Sequence, residues 1–263
     1  MENNALARIE SALRERKLDR TLTTVLAPLE RSDAAAFIPF GVEAIDEVLR
    51  GGLPRGQVSE IAGLPSSGRT TLLLQLLSAA TRGGEITALV DTCDRLDVAS
   101  AAAAAIDLDR LLWIRGESFD SLRSLRTSPV DRVVDRAIKA LTLVLQAGGF
   151  AVVAIDLADV HPRVLKSLPF TTWLRLQRIV EGSDTACLLV TPEPLARSAG
   201  GLTVMCTGRT KWSAAQTQSG ATQQTGQIHR VTGLETEIRV VSPRRRVDGD
   251  ARLAAVATDG PWR

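Results

Sequence analysis

Short apolar runs alternate with amphipathic stretches over most of the chain. Five short, mostly apolar runs predict strands: 58–61, 86–91, 111–114, 150–156 and 186–191. The stretches between them follow a helical pattern, with 71–80 apolar on nearly every side and 97–105, 130–146 and 165–180 amphipathic or small-residue-rich. Strands joined by crossover helices predict an α/β fold with a mostly parallel central β-sheet flanked by helices.

The pattern changes at both ends of this region. Near the start, 4–20 predicts a helix with Leu6, Ile9 and Leu13 on one stripe, and we expect that stripe to dock on this core or on another protein. Beyond Pro194 the chain predicts two more strands and, between them, a mobile Gln-, Thr-, Ser- and Gly-rich loop; the segments are 202–206, 228–241 and 213–227.

These changes divide the chain into three parts. Residues 1–37 form an N-terminal helix and linker, 38–245 form the core, and 246–263 form a C-terminal tail. The hydrophobic fraction of 44% is ample for such a core.

Composition limits the choice of partners and compartment. A net charge of +2 provides no global field for nucleic acid, so DNA binding would need local basic patches. Three widely spaced cysteines, without a C-x-x-C pair, argue against zinc or disulfides and favour the bacterial cytoplasm. The longest apolar run, 150–155, is too short to span a membrane, so we expect no membrane association.

Residues 63–70, GLPSSGRT, match a phosphate-binding loop (Walker A motif) except that Arg69 stands where lysine is usual. Glycines let backbone N–H groups converge on a phosphate, and the following helix adds its positive end. The expected nucleotide-binding residues of this degenerate loop are Gly63, Ser66, Ser67, Gly68, Arg69, Thr70 and Thr71. A bound nucleotide would bring Mg²⁺, held by Thr70 and by Asp156 at the end of a buried strand.

The sequence resembles the ATPase core of the RecA recombinases. The likeness rests on 51–63 (GGLPRGQVSEIAG), on 66–72, on Asp91 and Asp156, and on 233–236 (GLET), and it covers roughly 38–245. We expect no counterpart of the separate C-terminal domain of RecA.

The departures from RecA converge on one site. The resemblance places the catalytic glutamate at Cys93, with Asp94 one position late as the only substitute base. It also places the adenine-stacking tyrosine near Ser100, in a chain without tyrosine, and the γ-phosphate-sensing glutamine at Pro192. Of two lysines that reach a neighbour's ATP, one position holds Ser242 and the other Arg244. We therefore expect feeble or absent hydrolysis, with ATP and Mg²⁺ bound weakly if at all.

Basic residues suggest contacts with DNA or a partner protein. The candidates are Arg163, Lys166, Arg175, Arg178, Arg209, Lys211, Trp212, Arg244, Arg245 and Arg246. An ordinary solvated helix face explains the first four equally well, and Trp212 fits either base stacking in a mobile loop or packing at a sheet edge. Trp173, Leu176 and Val180 share a helical face that predicts core packing.

Among RecA relatives, the short chain and the altered ATP site resemble the ImuA family of damage-inducible (SOS) mutagenesis cassettes. That resemblance implies an accessory role in DNA repair by translesion synthesis, beside ImuB, an inactive Y-family polymerase relative, an error-prone C-family DNA polymerase, and RecA. Two alternatives remain open: a divergent recombinase that hydrolyses ATP in response to DNA, with Asp94 as base, and an inactive subunit that caps a RecA filament through 4–20.

Overall fold

The fold was examined in a computed structural model, which describes residues 36–117, 129–196, 201–215, 228–241 and 254–259. The chain divides into two compact units, Met1–Ala36 and Phe37–Arg263, and all described residues but Ala36 belong to the second. Leu6, Ile9 and Leu13 therefore lie outside the described residues, as do Arg244, Arg245 and Arg246. Of the described helices, none is both long and apolar enough to cross a membrane.

Eight of the ten strands in the described residues form one sheet. The strands are β1 (Phe37–Ile38), β2 (Leu53–Pro54), β3 (Val58–Gly63), β4 (Thr87–Asp91), β5 (Leu111–Arg115), β6 (Val152–Asp156), β7 (Ala186–Thr191), β8 (Thr203–Ala215), β9 (Ile228–Val240) and β10 (Ala254–Asp259). Strands β1 and β2 pair with each other, and the large sheet has the order β10-β9-β8-β3-β7-β6-β4-β5. From β8 to β5 all neighbours are parallel, whereas β8–β9 and β9–β10 are antiparallel. The mixed, mostly parallel sheet confirms the predicted fold class.

Helices cover both faces of the sheet. They are α1 (Glu43–Val48), α2 (Arg69–Arg82), α3 (Val98–Ala103), α4 (Pro129–Ala147), α5 (Pro162–Ser167) and α6 (Thr171–Val180). Alternate residues of β6 separate two cores: Val152 and Ala154 pack with α2, while Val153 and Ile155 pack with α4 and α6. Trp173, Leu176 and Val180 lie in the second core, as predicted.

Three predicted boundaries were wrong. The region 165–180 is two helices rather than one, because Pro169 follows the end of α5 and cannot continue it. The strand predicted at 202–206 runs from Thr203 to Ala215, so 213–215 of the predicted loop lie on β8, and 216–227 lie outside the described residues. Arg209, Lys211 and Trp212 consequently lie on β8, paired with β9, and not in a loop.

The C-terminal region contains a further strand. Residues 254–259 pair antiparallel with β9 from Ala254 opposite Ile238 to Asp259 opposite Gly233. The sequence predicts only a C-terminal tail over 246–263, because the small apolar residues of this strand do not stand out from their neighbours.

Candidate nucleotide site

The loop between β3 and α2 borders a cavity of about 450 Å³. Its lining comes from the loop itself, from the ends of β4 and β6, and from the segment leading into α3; it includes Ser67, Gly68, Thr70, Asp156, Asp159 and Ser100. Because parallel strands end at the same edge of the sheet, the fold brings the predicted loop residues and Asp156 together.

The loop has a backbone shape that suits an anion. Gly68 has a φ of 90° and stands immediately before α2, whose 14 residues place their positive end at the cavity. A Cβ on Gly68 would collide with Thr236 on β9, so only glycine fits there. Ser67 is 3% exposed, and its hydroxyl has no hydrogen-bond partner among the described residues. This buried hydroxyl is a ready contact for a phosphate oxygen.

Arg69 does not present its charge to that cradle. The side chain is 5% exposed and turns into the protein. Its Nη1 donates a hydrogen bond to the carbonyl of Gly63, and its Nη2 donates to the carbonyl of Ala158 at 3.0 Å. Asp159 Oδ1 lies 3.8 Å from Nη2. Burial lowers the pKa of Arg69, and the nearby Asp156 and Asp159 raise it in part.

Two acids, the buried Asp91 and the partly buried Asp156, end neighbouring strands at this edge. Asp91 accepts hydrogen bonds from the backbone N–H of Arg95 and Leu96, both at 2.8 Å, and from Trp113 Nε1 at 3.1 Å. Two of these bonds hold the segment after β4, and the third joins the carboxylate to β5. Asp156 lies opposite Asp91 and accepts from Ala158 N at 2.9 Å. Burial raises the pKa of Asp156 to about 6.

Neither candidate base is placed to activate water over the loop. Cys93 is 5% exposed, packs in the second core, and has a pKa raised to about 12 by burial. Asp94 is held by both arms of Arg115, at 2.8 and 2.9 Å, and these hydrogen bonds lower its pKa. Asp94 does not contribute to the described lining of the cavity.

The positions expected to contact the base and the γ-phosphate also have other roles. Ser100 donates its hydroxyl to Asp97 at 2.6 Å and its backbone N–H at 2.8 Å, and the N–H bond makes Asp97 the cap of α3. Pro192 follows β7 directly, and the chain after it is held by the buried Glu60. That carboxylate accepts from Thr191 Oγ1 at 3.1 Å, Leu195 N at 2.7 Å and Ala196 N at 3.4 Å.

The basic candidates that the structure describes fall on two separate surfaces. Arg163, Lys166, Arg175 and Arg178 are all exposed on α5 and α6, and Lys166 pairs with Glu193 at 2.8 Å. On β8, Arg209 lies opposite Glu235 and Trp212 is 61% exposed, while Lys211 is half-buried. An exposed Trp212 does not pack at the sheet edge, which was one of its two predicted roles.

Sequence reasoning overlooked three contributors to this site. Asp159 carries the ion pairs to Arg69 and, at 2.7 Å, to Arg95. Glu60 is a buried carboxylate inside an apolar strand, a signal that the sequence did display. Gly208, in the interior of β8, approaches the carbonyl of Ser66 so closely that a Cβ would collide with it.

The residues present fit a phosphate group but not a working Mg²⁺–ATP centre. The backbone cradle, Ser67 and Thr70 could hold phosphate oxygens, and Asp156 could approach a metal. Arg69, however, already places a cation 3.8 Å from Asp159. Cys93, Asp94 and Pro192 do not provide this cavity with a water-activating base or a γ-phosphate sensor.

Together, the strand–loop–helix unit and the sheet order define a P-loop α/β protein. A model of the RecA N-terminal domain matches residues 8–155, more than half of the chain. The chain belongs to this family.

Individual relatives show the same likeness at modest identity. RecA of Nostoc punctiforme is 35% identical over 161 residues, which are 54% of this chain and 43% of that protein. RecA of Thermus aquaticus is 27% identical over 198 residues, 72% of this chain and 56% of that protein. RecA of Heliobacterium modesticaldum is 29% identical over 159 residues, 58% of this chain and 44% of that protein. The chain thus spans about half the length of these curated relatives.

Proposed function

We propose that the chain is an ImuA-type accessory protein of damage-induced translesion mutagenesis. In this role it works in the bacterial cytoplasm by binding proteins and not by hydrolysing ATP. Its partners are an ImuB-like inactive relative of Y-family polymerases, an error-prone C-family DNA polymerase, and RecA. Membership of the RecA family supports the link to DNA repair and recombination.

The observation that carries the proposal is that, among the described residues, neither of the two positions expected to supply the water-activating base presents one to the cavity. A water-activating carboxylate must come within hydrogen-bond reach of its water. Cys93 stands buried at the expected position, and Asp94, the remaining candidate, is bound by Arg115 away from the cavity lining. Loss of such a group costs on the order of 10²–10⁴ in rate.

The exposed arginines of α5 and α6 support a role in binding. Arg163, Arg175 and Arg178 project from a stretch, 160–180, that has no acidic residue. Guanidinium groups in such a cluster suit carboxylates of a partner or phosphates of DNA. The partner-binding hypothesis and the DNA-binding hypothesis differ in their dependence on salt and on the probe used.

The proposal is tested with the purified chain in two assays. Phosphate release from ATP is measured with and without single-stranded DNA, beside RecA as a positive control and Thr70→Ala as a matched variant. Co-elution with the ImuB-like protein is measured for wild type, for the Arg175→Glu/Arg178→Glu pair, and for Arg132→Glu on α4. We expect no DNA-stimulated turnover, and co-elution of wild type and Arg132→Glu that the paired substitution weakens.

The alternative recombinase function has its own signature in the same assays. DNA-stimulated hydrolysis that Thr70→Ala and Asp94→Ala each abolish would replace the adaptor proposal by the enzyme. Loss of single-stranded DNA binding, without loss of co-elution, in the paired arginine variant would assign the α5–α6 surface to DNA.

A further inference from the structure

Arg69 connects two strand ends that are not neighbours. Gly63 ends β3 and Ala158 follows β6, and β7 lies between these strands in the sheet. The two guanidinium nitrogens Nη1 and Nη2 donate to these two carbonyls separately. One side chain at the start of α2 therefore connects the phosphate-binding loop to the segment that follows β6.

The same guanidinium supplies positive charge to an acidic edge. Asp156 and Asp159 both act electrostatically on Arg69, and Asp159 also receives Arg95 at 2.7 Å on its other oxygen. Asp156 is partly buried and Asp159 is exposed, and a cation beside them offsets the repulsion between their carboxylates. The protein provides one of its own, and it does so from the residue whose usual counterpart would contact a phosphate.

A lysine would have to make this connection from one atom. Its ammonium is a single point with three donors, whereas the flat guanidinium offers separate nitrogens held in a fixed fork. Arg69 uses that fork to reach the two carbonyls from two different nitrogens. Arginine at position 69 thus serves a structural connection and not the binding of a phosphate.

We propose that Arg69 is an internal counter-ion that locks the loop to the end of β6 and makes the folded core independent of nucleotide. The inference rests on the proposed function, because an adaptor without an ATP cycle needs a core that holds one conformation unaided. Arg69 is a positioning residue. Its replacement by lysine should therefore allow the loop to bind nucleotide.

The test compares four proteins by thermal unfolding with and without 1 mM Mg·ATP, a concentration chosen at roughly the upper end of common nucleotide affinities. They are wild type, Arg69→Lys, Arg69→Gln and the control Arg95→Lys, whose side chain pairs with the same Asp159 but is 54% exposed. We expect both Arg69 variants to lose roughly 5 °C or more in Tm. Only Arg69→Lys should regain Tm when Mg·ATP is added, because ligands that bind the folded state raise it.

A second measurement uses wild type alone and does not depend on the variants folding. Hydrogen exchange of amides 63–70 should be slow without nucleotide and unchanged by Mg·ATP. Nucleotide-induced protection of wild type, or an Arg69→Lys protein as stable as wild type and equally indifferent to Mg·ATP, would overturn the inference. Tight Mg·ATP binding without hydrolysis would end this inference and leave the adaptor function intact, whereas DNA-stimulated hydrolysis would end that function.

Discussion

Asp156 makes the stability of the site depend on pH. Burial raises its pKa to about 6 from an ordinary value of 3.8, so the folded protein favours the protonated acid. The stability linked to this proton is complete below about pH 4 and is lost as the pH rises through 6. Above that pH, a folded state with ionised Asp156 bears a cost of roughly 2–3 kcal/mol.

We therefore expect Asp156→Asn to raise the unfolding temperature at pH 7.5 by about 5 °C, and to give no gain at pH 4. The amide can still accept the hydrogen bond from Ala158 N. Asp97→Asn is a suitable control on the same cavity, since the hydrogen bonds of Ser100 lower the pKa of Asp97 and any loss should appear only above pH 4. Thermal melts across pH 4–8 measure both, and an equal gain from Asp156→Asn at every pH would contradict the assigned cause.

The sequence motif predicted where Arg69 lies in the fold, but not the direction in which its side chain points. The motif spacing placed Arg69 at the head of α2, and the identity of Asp156 was read from a strand ending in an acid. The acceptor that turns the side chain inward is the carbonyl of Ala158, 89 positions away. Such a contact depends on the sheet order, which a local pattern does not contain.

At the scale of elements, β8 and the loop are fitted to each other. Gly208 has a backbone conformation open to any residue, so its role is steric: a Cβ would meet the carbonyl of Ser66 and the Cα of Ser67. Gly208 thus allows β8 to lie directly against the phosphate loop. A side chain there would have to push the loop toward the cavity or β8 away from β3.

We expect Gly208→Ala to destabilise the protein by about 1–3 kcal/mol, the usual cost of overpacking. Thr210→Ala, two residues along the same strand and exposed, is the matched control and should change the free energy of unfolding by less than about 0.5 kcal/mol. Urea unfolding of both variants measures the difference. Equal free energies for the two variants would show that β8 does not press on the loop.

The elements that sequence predicted well are those buried on both faces. Strands β6 and β7 are almost entirely apolar because helices cover both sides of a parallel sheet. Strand β8 beyond Cys206 is mainly polar, with Thr207, Arg209 and Thr210 exposed, so its apolar signal is weak. It was cut short for this physical reason, and the start of the predicted loop was wrong with it.

At the scale of the whole molecule, the sequence predicts some parts of the sheet and not others. The α/β class and the meeting of Gly68 with Asp156 follow from parallel strands that end at one edge, and both were predictable. The antiparallel extension from β8 through β10 was only partly predictable, because its pairing joins residues distant in sequence and of modest hydrophobicity. That extension determines which strand edge is open to other chains.

Strand β10 covers an edge that would otherwise attract other molecules. Six residue pairs join it to β9 from Ala254 to Asp259. Without it, β9 would present unpaired N–H and C=O groups, which promote edge-to-edge association. A chain truncated after Arg252 should therefore associate as its concentration rises from about 5 to 100 μM and unfold at a lower temperature than the full chain. Sedimentation velocity measures the association, and truncation after Asp259, which retains β10, is the control. If the shorter chain sediments and melts like this control, β10 does not protect the edge of the sheet.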